Sequence, residues 1–358
     1  SLTNLNLMIN KWRKYMNIIN KVLLTLVLLL GMNMNLLAGG DPSEIVMKTR
    51  ADSHAPISIM GDHTHKEGQV MFSYRYMTMG MDGYQSGSSS SNYTKARTKP
   101  LGGNYMTVPE EMAMNMHMIG AMYAPSDDIT LMIMGSYLDS EMKVKKHSNK
   151  KKKTLESSGN GDTKVSILKN LAHNDNAKLH ASLGLSLPTG SISKKDIMFG
   201  SKEETLGYNM QLGSGTYDAL PGLTYVYFED NYSYGTQISS VLRIGKNSKD
   251  YALGNIYKSN IWFVIPFNDK QTSFSIASQF KFQGKIKGNH KDIKTIMSFA
   301  QDRDSSGSKR IDISIGANHI FPNKIRASVE YIMPTYNDVN SVQLDSENAL
   351  MFGLGFAY

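Results

Sequence analysis

The chain has 358 residues, a formal net charge of +8 and no cysteine. The lack of cysteine excludes disulfides, thiolate metal sites and cysteine nucleophiles. Hydrophobic residues make up 41% and the mean hydropathy is −0.33, which is too polar for a helical membrane protein. A β-barrel is not excluded, because each of its spanning strands is only half apolar.

Residues 1–38 are predicted to hold upstream residues, up to a translation start at Met16, and a signal peptide. Lys21 precedes the apolar run 22–30, and small residues follow at 38–40. A basic start, a short apolar core and a small-residue exit are typical of secretory signals. The run is too short for a spanning helix, which needs about 20 residues. The alternative is a membrane anchor or a buried helix.

The polar residues 39–67 are predicted to form a periplasmic extension or a plug, and residues 68–358 an all-β outer-membrane barrel. In the barrel region hydrophobicity alternates with a period of two: Phe274, Ile276 and Phe280 oppose Ser273 and Ser275. Twelve antiparallel strands are predicted, near residues 69–79, 111–124, 129–142, 163–171, 177–187, 217–228, 231–245, 251–265, 270–286, 309–321, 324–334 and 347–358.

Short turns and mostly longer polar loops alternate between these strands. The short ones have good turn chemistry, as at Pro125–Asp128 and Pro322–Asn323. Bacterial outer-membrane barrels have this asymmetry, with tight periplasmic turns and longer outer loops. A secreted β-sandwich or propeller is the alternative, but no repeat of 20–50 residues supports a propeller.

The last strand, Leu350–Tyr358, places Leu350, Phe352, Leu354, Phe356 and Tyr358 on one face. On a barrel this face meets lipid, and pairing with the first strand closes the ring. The same strand is predicted to be recognised by the barrel-assembly machinery.

Extending this parity along the chain predicts which residues line the lumen. Charges of both signs there either pair with one another or select solutes. The predicted lumen or substrate-pathway residues are Arg75, Met77, Met79, Asn115, His117, Met132, Met134, Gln237, Arg243, Lys281, Arg326 and Glu330. On the same reasoning Met112, Met114, Met116 and Met118 face lipid.

The 24 methionines are concentrated in the first three strands. Three interpretations stay open. A Met patch beside His117 suits Cu(I), flexible thioethers suit varied apolar solutes, or Met simply replaces Leu.

Other chemistry is limited to histidines. His54, His63 and His65 form a compact cluster that can hold a metal. His180 and Ser182 have the spacing of a base and a nucleophile on one strand face. They would point into the lumen, away from lipid substrates, so no catalytic role and no cofactor is predicted.

The loop after the third strand is rich in lysine, with four consecutive lysines at 150–153. Its place outside the cell argues against nucleic acid and favours anionic lipopolysaccharide. A solvated loop without a specific partner is equally compatible with the sequence.

Several stretches resemble one family of proteobacterial outer-membrane proteins, named for meta-pathway phenol degradation and also labelled transporters. They are Ala55–His65, Phe72–Met77, Ala121–Asp128, Leu185–Ser191, Met210–Asp218 and Leu220–Tyr225. The resemblance implies a β-barrel that passes hydrophobic or aromatic compounds through the outer membrane. The alternatives are a copper-related protein and a non-transporting structural barrel.

Overall fold

A computed structural model describes residues 50–174, 176–267 and 270–357. The predicted signal peptide and residues 39–49 lie outside these ranges, so the signal peptide remains a prediction. Within them no helix is long and apolar enough to cross a bilayer. The helices are α1 (Tyr93–Arg97) and 3-10 helices at Ala51–Ser53, Tyr208–Met210, Phe299–Gln301 and Arg303–Ser305.

The same ranges hold seventeen strands. They are β1 (Val70–Gly87), β2 (Ser89–Ser91), β3 (Thr107–Ser126), β4 (Ile129–Lys146), β5 (Lys152–Asn160), β6 (Thr163–His173), β7 (Ala177–Leu187), β8 (Lys195–Ile197), β9 (Glu203–Thr205), β10 (Tyr217–Phe228), β11 (Ser233–Ile244), β12 (Tyr251–Ala252), β13 (Ile256–Pro266), β14 (Thr272–Gln283), β15 (Lys287–Gly288), β16 (Ser308–Ile320) and β17 (Ile325–Ala357).

Eleven of the described strands form a closed antiparallel ring, which confirms the predicted barrel. Their order is β1, β3, β4, β6, β7, β10, β11, β13, β14, β16 and β17, and β17 pairs with β1 to close the ring. Outside the ring, β2 pairs with β1 and β5 pairs with β4.

The count of eleven differs from the predicted twelve because β17 is 33 residues long and covers the last two predicted strands. An odd ring cannot be antiparallel at every seam unless one strand reverses. β17 does so near Ser341, which has a φ of 60°. The Asn337 and Asp345 side chains meet at 3.4 Å across this reversal. Its first limb pairs with β16 and its second with β1.

Large apolar side chains cover the outer surface of the barrel. Phe72 on β1 is 58% exposed and Leu354 on β17 is 52% exposed, whereas Met71 and Met351 on the opposite faces are buried. The predicted parity of the last strand is therefore confirmed for Phe352, Leu354 and Phe356; Tyr358 lies outside the described residues. Such a belt is stable only against lipid, because water would leave its apolar area unburied.

At one end of the barrel the long loops pack together. We call this the loop cap; its buried core is Ala96, Tyr105, Val108, Met112, Met142, Val144, Leu155, Met198, Leu206, Met210, Phe299, Val342 and Leu344. The lysine-rich region, predicted as a loop, is largely the β4–β5 hairpin. Lys145 and Lys152 pair there with Glu110.

At the other end, which carries the short turns, residues 50–66 enter the barrel. We call them the lumenal segment. Ala55 and Ile59 pack against inward side chains of β10, β13 and β14, including Trp262 and Val264. Thr64 and His65 bond to Asn170 of β6 and Thr130 of β4. The segment therefore touches the inner wall on several sides.

Candidate functional site

Most of the predicted pathway residues lie on the inner face of the barrel. On β1, Met71 and Arg75 are buried while Phe72 and Tyr74 are exposed, so Met77 and Met79 also face inward. The same alternation places the following residues inside: Met132, Met134, Gln237, Arg243, Lys281, Arg326 and Glu330.

The predicted inward orientation of Asn115 and His117 is wrong. Both lie on the outer face, where His117 Nδ1 is 2.7 Å from the Tyr74 hydroxyl, and the Tyr76 hydroxyl donates to Asn115. The polarity of β3 is inverted because tyrosine hydroxyls from β1 satisfy its polar side chains at the membrane face. Its methionines at 112, 114, 116 and 118, predicted to face lipid, fill the lumen instead.

These methionines lie along one part of the inner surface, which we call the methionine wall; Gly120 of β3 and the buried Arg75 of β1 lie among them. Cross-strand pairs run along it, from Met112 with Met142, through Met116 with Met77, to Met122 with Met71 and Met132; Met351 also pairs with Met77. Residues 112–122 extend about 33 Å along the strand. Because the strands of an outer-membrane barrel are tilted by about 35–45°, this corresponds to roughly 25 Å across the membrane, the height of the apolar band of such a barrel. The wall therefore runs from the loop cap to the short-turn end.

A different part of the inner surface is polar and basic. Lys258, Lys281 and Arg310 are direct neighbours across β13, β14 and β16, so their side chains lie side by side. Arg310 donates from Nε to Asp312 at 2.9 Å. We call these three residues the basic row; of its side chains, Arg310 is bonded to a carboxylate. The lumen is therefore amphipathic, with the methionine wall on one part of its surface and the basic row on another.

Polar contacts hold the lumenal segment in place. The Ser58 backbone N–H and hydroxyl donate to Glu330 at 2.7 and 2.9 Å. Gln237 donates to the Met60 carbonyl and His180 Nε2 to the Gly61 carbonyl, each at 2.9 Å. The imidazole considered as a catalytic base is therefore engaged in a structural bond.

One apolar contact depends on a glycine. Ile57 lies directly against Gly353 of β17, where a Cβ would overlap Ile57 Cδ1. Ile57 also packs with Met118 and Met351 of the methionine wall. The segment therefore lies inside the barrel, directly against the methionine wall.

The three predicted metal-binding histidines come together at the base of the lumenal segment. The ring centroids of His54 and His63 are 4.3 Å apart, and those of His63 and His65 are 4.9 Å apart. Asp62, which was not among the predicted site residues, joins them: its Oδ1 is 2.8 Å from His63 Nδ1. Its position directly before His63 is the one sequence signal that could have identified it.

Burial sets the protonation of this cluster. Burial, together with the charge of Arg326 and then His63, lowers the pKa of His54 well below its ordinary value. Burial, and next His63, lowers the pKa of His65 to about 3. Burial alone would raise the pKa of Asp62, but His63, through its charge and hydrogen bond, and His54 and Arg326 hold it well below the usual range. His54 and His65 are therefore neutral near pH 7 and Asp62 is ionised.

The cluster faces a cavity of about 650 Å³ at the short-turn end. The cavity is lined by the three histidines together with Met71, Phe321 and Arg326, among others. Met71 belongs to the methionine wall, so the wall ends at this cavity.

No protein-family model matches the chain, and no curated protein sequence matches it. The resemblance to the meta-pathway family therefore stays a prediction. Among solved structures, an outer membrane channel from Pseudomonas putida F1 is similar over 84% of this chain and 99% of its own, with 12% identity and a TM-score of 0.56.

Two other solved structures are more distant. The β domain of the Bordetella autotransporter BrkA covers 82% of this chain and 100% of its own, with 8% identity and a TM-score of 0.42. A Pseudomonas aeruginosa FadL homologue covers 87% of this chain and 98% of its own, with 9% identity and a TM-score of 0.40. At these scores neither adds to the assignment. The similarity to the channel, the closed ring and the apolar outer belt define the class: a bacterial outer-membrane β-barrel.

Proposed function

We propose that this protein is an outer-membrane channel that passively admits small hydrophobic or aromatic compounds. The observation that carries the proposal is the methionine wall, which connects the loop cap to the cavity at the short-turn end. Flexible thioethers adapt their shape to varied apolar solutes. The similarity of the fold to a protein described as an outer membrane channel supports the same class of function.

In this proposal the long loops face outside and the short turns face the periplasm. A solute enters at the loop cap, which is itself rich in methionine, and moves along the wall. It leaves through the cavity when the lumenal segment, acting as a plug, shifts. No energy source is coupled to the movement.

The basic row is polar, unlike the methionine wall, and this contrast suggests which solutes fit best. An aromatic ring can contact the methionines while a hydroxyl or carboxylate faces Lys258, Lys281 and Arg310. Hydrogen bonds to charged groups contribute about 1.5–3 kcal/mol, enough to favour amphipathic over purely apolar compounds.

The alternatives make different predictions. The copper-related role requires His117 to supply an imidazole beside the methionines, but His117 lies on the outer face of the barrel. A structural barrel without transport keeps the loop cap and the lumenal segment permanently closed.

The proposal is tested by measuring the uptake of toluene, phenol and benzoate in a deletion strain. The strain is complemented with the wild-type protein, with Met116→Gln or with Met106→Gln. Met116 lies in the wall, whereas Met106 precedes β3 and is 48% exposed. Placing an amide in an apolar path costs about 1–3 kcal/mol, so Met116→Gln should slow uptake of toluene at least several-fold and Met106→Gln should not. Equal uptake with and without the wild-type protein, together with no conductance in planar bilayers, would identify a structural barrel.

A further inference from the structure

Three imidazoles converge where the lumenal segment folds back on itself. His54 precedes the stretch 55–61, which contacts the inner face of the barrel, and His63 and His65 follow this stretch. Ligand atoms of His54, Asp62 and His63 lie within 4.8 Å of one another. This spacing is close enough for a single ion to contact His54 and His63 beside Asp62. The third imidazole, His65, has its ring centroid 4.9 Å from that of His63.

One nitrogen on each imidazole is buried without a partner. In the described part of the chain, His54 Nδ1, His63 Nε2 and His65 Nε2 make no hydrogen bond and are shielded from solvent. A buried polar atom without a partner is costly, and each needs an explanation such as a bound ion or water. Three such atoms in one cluster indicate a shared ligand.

The neighbouring groups orient these nitrogens. In the neutral form of His63, Nδ1 donates to Asp62 Oδ1 at 2.8 Å and Nε2 keeps its lone pair for a metal ion. The other carboxylate oxygen accepts from the Ala55 backbone N–H at 2.8 Å, which fixes Asp62. A carboxylate that orients a metal-binding histidine is a recurrent feature of protein metal sites.

The donor set also restricts the type of ion. Hard cations such as Ca²⁺ and Mg²⁺ require mostly oxygen ligands, and here the charge of Asp62 is opposed by nearby Arg326. Imidazole nitrogens suit zinc, copper and nickel. The site therefore favours an ion through its nitrogen ligands, because Arg326 offsets the negative charge of Asp62 that would otherwise attract any cation.

We propose that His54, His63 and His65 bind one divalent transition-metal ion of the zinc or copper class, with Asp62 orienting His63. The ion would join the two ends of the stretch 55–61. Because Ile57 and Ser58 in this stretch contact Gly353 and Glu330, the ion would fasten the lumenal segment to the barrel wall.

Zinc titration of the full-length protein, purified in detergent and stripped with chelator, tests the site directly. We expect one ion per chain, loss of binding in His63→Ala, and affinity reduced about 10- to 100-fold in Asp62→Asn. His173→Ala is the matched control, because His173 lines the same cavity but lies outside the cluster. It should bind like the wild type; an equal loss in this variant would place the ion at the cavity mouth and overturn the proposal.

Two measurements on folded wild-type protein keep the test independent of variants that fail to fold. Zinc-edge X-ray absorption should show imidazole nitrogens at about 2.0–2.1 Å. Hydrogen exchange of residues 54–65 should slow when zinc is added. An oxygen-only shell, or unchanged exchange with zinc bound, would refute the site. Neither readout depends on transport, so failure here and failure of the channel proposal are distinguishable.

Discussion

Substituting Gly353 by Ala should open the barrel without unfolding it. Gly353 lies in β17, where it pairs with Arg75 of β1, and its backbone is an ordinary strand conformation that alanine also adopts. The added Cβ would overlap Ile57 Cδ1 and lie 3.1 Å from Ile57 Cγ1. The barrel wall is held by its hydrogen-bond ladder, so the Ile57 side chain, and with it the packing of the lumenal segment, is the part that must give way.

Overpacking of this kind costs about 1–3 kcal/mol. A difference of about 1.4 kcal/mol changes an equilibrium tenfold. The displaced state of the lumenal segment should therefore gain roughly 5- to 150-fold in population. In planar bilayers this is measured as an increase in open probability of single channels.

Two controls make the reasoning refutable. Gly355 lies on the same face of the same strand, but a Cβ there would meet Met71 Cε only at 3.4 Å, so Gly355→Ala should behave like the wild type. In an Ile57→Ala background the clash is absent, and Gly353→Ala should add nothing. Equal opening in both glycine variants, or an effect that persists without the Ile57 side chain, would show that the contact does not hold the channel closed.

The remaining predictions concern the polar anchor, the basic row and the loop cap. Glu330→Ala removes two hydrogen bonds from Ser58 to a carboxylate, each worth about 1.5–3 kcal/mol; open probability should rise at least tenfold, and an unchanged value would exclude an anchoring role. Lys281→Glu places a negative charge in the basic row and should shift the reversal potential in a salt gradient toward cations, whereas Lys202→Glu, in an exposed loop, should not. Phe299→Ala should destabilise the loop cap by about 3–5 kcal/mol and hasten proteolysis of the long loops while the barrel stays intact; no change in cleavage would show that the loops are held elsewhere.

The barrel was largely predictable because each strand has one face in lipid. Alternation located the ring strands, and the exposed Phe352 and Leu354 gave the correct parity. The same rule failed for β3, because it assumes that the polar face points inward. There the lumen is packed with methionine and Asn115 and His117 are satisfied on the outside, so hydrophobicity no longer distinguishes the lumen from lipid.

The histidine cluster was only partly predictable. The His63-x-His65 spacing is visible in the sequence and implies neighbouring imidazoles. The return of His54 to the same point depends on contacts of residues 55–61 with at least seven different strands of the barrel. One of them joins Ser58 to Glu330, which lies 272 positions away. Local sequence carries no record of such contacts.

The seam between β1 and β17 also constrains how the protein can form. Met71 pairs with Ala357, 286 positions later in the chain. β1 therefore lacks its second neighbour until β17 has been exported. Contacts at such separation are slow to form. Until then the sheet has two open edges that invite misassociation. Ring closure removes both open edges at once, so the seam between β1 and β17 is the contact that ends the exposure of the sheet to misassociation.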